Sequence, residues 1–161
     1  MSADAPVTRS AFRRLKPISV PQPLSQLPQR LWSEEDWERI RRGYAARDMD
    51  EKWNVFCEGG TVFLHRSWTG YGVYEATFTP TGDGGRRITA ALVERDAEIY
   101  RCTDDAYDCV MLELVLSAIV LGEPAAGLRA RLVELTRRGP GADDAHAGLV
   151  LHSVLGRRSD T

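Results

Sequence analysis

Seven consecutive residues, His65-Arg66-Ser67-Trp68-Thr69-Gly70-Tyr71, put an imidazole, a guanidinium, two small hydroxyls and two aromatic rings around one turn. Arg66 is a planar fork matched to a carboxylate or phosphate. Ser67 and Thr69 can add hydrogen bonds, and Trp68 can stack on a planar or cationic group. His65 titrates near neutrality and is the acid/base candidate. Trp53, Arg66, Ser67, Trp68, Thr69 and Tyr71 are the candidate ligand- or partner-binding residues, and His65 and Arg66 the catalytic candidates.

A bland reading stands beside this one. Strand alternation puts Arg66 on the side of Val62 and Leu64, at the edge of the core. There it needs a partner, and Glu113, inside an apolar helix, is the candidate, because an unpaired buried charge is costly. The same alternation sends His65 to the opposite face, which weakens a joint active site unless a bulge intervenes.

The other constellations carry less chemistry. His65, His146 and His152 are too scattered for a metal site, and Cys57, Cys102 and Cys109 form no C-x-x-C pair. The three thiols fit a reduced, cytoplasmic protein. Asp104, Asp105 and Asp108 suit a helix start. Glu58 and Glu75 can approach across neighbouring strands as a carboxylate pair. No phosphate-binding glycine loop or G-x-S-x-G elbow is present, and no cofactor is expected.

The elements that position the hairpin follow from pattern. Residues 1–30 carry Pro6, Pro17, Pro21, Pro23 and Pro28 without helical period, so they read as an extended or disordered arm. Ile18, Val20, Leu24 and Leu27 let it lie along the domain or reach onto a partner. Ser33 followed by Asp36 predicts a helix N-cap, with Trp37, Ile40 and Tyr44 on one face and an end near Arg47. Strands follow at Trp53 to Glu58, Thr61 to Ser67, Tyr71 to Thr79 and Arg87 to Glu94. In the last of these, Ile88, Ala90 and Leu92 are expected to share a face. Helices are expected over 104–121 and 125–138, and a final one, capped by Asp143 or Asp144, carries Leu149, Val150, Val154 and Leu155. The fold class is α+β: a four-stranded antiparallel meander packed against C-terminal helices, preceded by one N-terminal helix and the arm. The expected organisation is an arm over 1–30, one domain over 31–158 and a tail over 159–161.

The chain has 161 residues and a formal net charge of −2. That balance argues against a general nucleic-acid binder, and the longest apolar run is too short for a membrane span. Lys52-Trp53, the Gly59-Gly60 turn and His65-Arg66-Ser67-Trp68-Thr69-Gly70 resemble a family of small, poorly characterised bacterial proteins that share an HRSWTG-type hairpin. The resemblance covers residues 50–78 and implies that the hairpin matters without naming a reaction. The expected function is an accessory, partner-binding subunit of a larger enzyme or oligomer, with the hairpin as contact site. The alternatives are an enzyme acting on an anionic small molecule (phosphate, sulfate or carboxylate) and a non-catalytic ligand or immunity-type binder.

Overall fold

The computed structural model describes residues 6–48, 50–100, 102–137 and 154–156. It is an α+β fold with a five-stranded antiparallel sheet. Strands β1 (Pro21–Pro23), β2 (Trp53–Glu58), β3 (Thr61–Arg66), β4 (Gly72–Pro80) and β5 (Arg86–Glu94) lie in the order β1-β5-β4-β3-β2. β2 to β5 form the expected meander. The fifth strand is a correction: it comes from the arm, pairing Pro21 with Glu94 and Pro23 with Leu92.

The prolines suit this edge. Val20 accepts from the Arg95 amide and the Leu24 amide donates to Ala91, so the intervening odd positions turn their backbone nitrogens outward. At 21 and 23 those nitrogens carry no hydrogen, which leaves the edge few donors for a further strand.

The arm is fastened at many points. Arg9 forks Glu58 at 2.8 and 2.9 Å, and Phe12 packs on Phe56 at 5.8 Å between ring centroids. Arg30 forks Glu123 at 2.7 and 3.0 Å and donates to buried Ser117 at 2.9 Å. Glu94, fully buried, accepts the amides of Ser19 at 2.6 Å, Val20 at 2.9 Å and Asp96 at 3.0 Å. Burial pushes the Glu94 carboxyl up, but those amides more than offset it, so its pKa lies below the ordinary value. The stability it contributes is complete above the unfolded glutamate pKa, about 4.3. It is lost as pH falls through the lower folded value. Acid is therefore expected to strip hydrogen-exchange protection from the Ser19 and Val20 amides. Glu94→Gln should do so already at pH 7, at a cost of about 2 kcal/mol. Unchanged protection in that variant would remove Glu94 as the anchor.

Helix α1 (Glu34–Arg41) starts at a capping box, Ser33 accepting from Asp36 and Asp36 from Ser33. It ends six residues before the expected Arg47. Gly43 adopts φ +76°, and a Cβ there would lie 2.5 Å from the Val55 carbonyl oxygen. The chain turns at this glycine, and Tyr44 pairs with Val55 as an isolated bridge instead of continuing the helix. Trp37, Ile40 and Tyr44 are nonetheless all buried.

The expected helix over 104–121 divides in two. α2 (Asp105–Leu114), capped by Asp104, passes into a π-helical turn at Val115–Val120 whose residues are all buried. α3 (Ala126–Arg137) packs on α2. The final helix expected beyond 138 lies outside the described residues except at 154–156.

One sheet face carries Val55, Val62, Leu64, Tyr74 and Ala76 into a core shared with Leu112, Leu116 and Leu132. Each such fully buried aliphatic side chain contributes about 1.5–3 kcal/mol. The expectation for β5 needs correction. Thr77 pairs with Ala90 but Phe78 with Ile88, so Thr89 is an extra residue in β5. That bulge changes the parity, and Ile88 joins Ala91 and Val93 in the core while Ala90 is exposed.

Candidate functional site

The hairpin sits between two other parts of the chain. On one side the arm crosses it: the Lys16 amide donates to the Gly70 carbonyl at 2.9 Å, and the Gly72 amide to the Lys16 carbonyl at 2.8 Å. On the other side is the C-terminal segment. The Val154 carbonyl accepts from the Trp53 indole at 2.9 Å and from Arg66 Nη1 at 2.7 Å. Gly156 bridges Glu51.

The sequence candidates therefore separate. His65 is buried against the Phe56 ring, and its Nδ1 lies 2.8 Å from the Gly70 carbonyl oxygen. A carbonyl only accepts, so Nδ1 carries the proton. Burial lowers the imidazole pKa, opposed by the bond to Gly70 and reinforced by Arg9. His65 is thus a neutral packing group that fixes the turn.

Arg66 lies on the opposite face, its guanidinium 4.7 Å from the Trp53 ring centroid. Burial lowers its pKa, opposed by Tyr100, Tyr74 and Tyr107. A register shift does occur between Leu64 and His65 relative to β4, but it leaves the two side chains on separate faces.

Glu113 faces Arg30 and Glu123 instead of Arg66, and its half-buried carboxyl is raised by burial, opposed by Arg30. The expected Arg66–Glu113 lock is replaced by one to a backbone carbonyl. Arg66→Ala is accordingly expected to cost about 1.5–3 kcal/mol, the range for a hydrogen bond from a charged group. A loss of about 5 kcal/mol in a denaturant melt, the scale of breaking a buried ion pair, would show that this bond is not what Arg66 mainly contributes.

Ser67 donates to the Glu51 carbonyl at 2.6 Å, and Thr69 Oγ1 accepts from the Tyr71 amide at 3.3 Å. Lys16 Nζ lies 4.4 Å from the Tyr71 ring centroid. Trp53 is buried and stacks on Tyr74 at 5.9 Å. Glu58 and Glu75 both lie near Arg9, which takes Glu58 and whose charge also reaches Glu75. Among the described residues no group of His, Cys, Asp or Glu is placed to hold a metal ion.

Trp68 differs from the other hairpin candidates. Its side chain is 58% exposed, with Lys52 Nζ 4.1 Å from the ring centroid. Beside it lies an open depression of about 340 Å³, lined among others by Phe12, Arg47, Asn54 and Ser67. Sequence reasoning missed Phe12 and Arg47, because nothing local says that the arm and the 45–48 loop converge on the hairpin.

A second polar cluster lies in the core beneath α2. Asp108, fully buried, accepts from Tyr74 at 2.7 Å and Tyr100 at 2.5 Å. Its Oδ2 lies 2.7 Å from Arg95 Nη2, which also reaches Asp105 at 2.6 Å. Burial, with Asp108 nearby, holds both phenols well above the ordinary tyrosine pKa, so they remain donors. The cluster lines neither the depression beside Trp68 nor the one beside Trp32. Buried hydrogen bonds of this kind favour one arrangement of the core.

No family model matches this chain, and no curated protein or solved structure matches it either.

Proposed function

We propose that this chain is an accessory, partner-binding subunit and that the hairpin tip around Trp68 is its contact surface. One observation carries the reading. Of the four tryptophans, Trp32, Trp37 and Trp53 are 0, 7 and 1% exposed, whereas Trp68 is 58% exposed on a turn held from both sides. A rigidly presented tryptophan costs little entropy to bury, and tryptophan is enriched among the residues that dominate interface energy. The shallow depression beside it suits a side chain of a partner better than a small substrate, which binds where polar groups converge in a concave site. The proposed setting is the bacterial cytoplasm, with Cys57, Cys102 and Cys109 as half-buried thiols.

The test places a photo-crosslinking amino acid at position 68 in the native cells, with a control at exposed Thr79 on the sheet. The expected result is one saturable crosslinked protein at 68. Excess wild-type chain should compete for it, and a Trp68→Ala chain that melts normally should not. The same products at both positions, or equal competition by both chains, would sink the reading.

A further inference from the structure

The surface around Trp68 carries a charge pattern opposite to that of the whole chain. The chain is −2 in total. Yet Arg13 and Arg14 directly follow Phe12 on the arm, both exposed, and neither makes an ion pair with a described residue. The Arg14 backbone packs against Gly70, two residues from Trp68, and Lys16 follows over Tyr71. Arg47 lines the depression together with Asp48, and Lys52 lies over the Trp68 ring. Asp48 and Asp50 are the nearby anions, and Asp48 is turned to the Asp50 amide. Cations thus outnumber carboxylates around an aromatic floor.

We propose that this surface receives an acidic segment of a partner protein, with an apolar side chain seated beside Trp68 and Phe12 and carboxylates facing the flanking cations. This rests on the partner-binding reading above and adds the partner's chemistry. The spread of the cations selects the class. A single small anion is held by charges that converge on one point, whereas these are distributed along the arm and across the depression. An extended chain with several carboxylates meets them together, and complementary charge raises the rate of encounter.

The probe is a displayed library of random 16-residue peptides, selected on the full chain and then measured as synthetic peptides. The expected winners are rich in Asp and Glu around one apolar residue. Their affinity should fall about tenfold or more in Trp68→Ala. A similar loss is expected in the Arg13→Glu, Arg14→Glu double variant and between 50 and 500 mM salt. Both variants carry exposed substitutions, and their melting temperatures confirm the fold. Neutral peptides that need Trp68 but ignore the double variant would overturn the acidic class and leave the partner reading standing. Peptides indifferent to Trp68→Ala would overturn both at this surface. Displacement of the peptides by 10 mM inorganic phosphate, or by a single-stranded oligonucleotide at lower concentration than the peptide, would assign the surface to those anions instead. An empty selection would overturn the peptide proposal, while crosslinking from position 68 would still judge the partner reading.

Discussion

Asp108→Ala is expected to destabilise the fold by about 3 kcal/mol or more, the scale of breaking a buried charge network. For a domain of this size that lowers the melting temperature by about 6–12 °C. Three groups converge on this carboxylate: Tyr74 and Tyr100 through Oδ1, and Arg95 through Oδ2. Their losses differ. Arg95 keeps Asp105 and the Cys102 carbonyl, so it is not stranded. The two phenols keep each other, at 3.0 Å, and Tyr74 is fully buried. Asp108→Asn preserves volume and an acceptor and should cost less than the alanine. Tyr100→Phe should cost about 1 kcal/mol. If alanine and asparagine melted alike, the charge on Asp108 would be what matters, and the phenols would be bystanders.

Gly70→Ala should be nearly as damaging, by a different route. At φ +80° the residue lies in the left-handed region, which costs an ordinary side chain about 1–2 kcal/mol. The new Cβ would also fall 2.0 Å from the Arg14 carbonyl oxygen, so the arm's backbone must move. Moving it breaks the bonds of Lys16 to Gly70 and Gly72. The sum is expected to exceed about 3 kcal/mol, with exchange protection lost at the Lys16 and Gly72 amides. Gly82→Ala, where a Cβ meets nothing within 4 Å, is the control and should melt like wild type. Retained protection at Lys16 in Gly70→Ala would show that the arm is held elsewhere.

What was readable in the sequence was local. The Ser33 capping box and the four central strands come from hydroxyl–acid spacing, alternation and glycine turns, each within a few residues. β1 was not readable, because a Pro-Gln-Pro strand has no alternation and forms only where β5 and Glu94 wait for it. The π-helical turn was hidden too: a continuous apolar run has the same composition in either winding. Gly43 is the signal for the early end of α1, and the i+7 spacing of Tyr44 from Trp37 hides it by extending the apolar face past the turn. At the candidate site, the hairpin stood out by composition. What composition could not separate was Trp68, facing outward, from His65, Arg66 and Trp53, turned inward. Their partners at Gly70 and Val154 are backbone carbonyls, which leave no mark in residue types.

The double fastening of the hairpin also decides how the molecule would respond to tension. Pulling the arm against the C-terminal segment loads Lys16 to Gly70 and Gly72 at one end, and Trp53 and Arg66 to Val154 at the other. The same pull also loads the pairing of β1 with β5 and the anchors at Arg9 and Glu94, so the turn that presents Trp68 shares the strain with the rest of the arm. The contact surface would then be sensitive to strain between the two tethers.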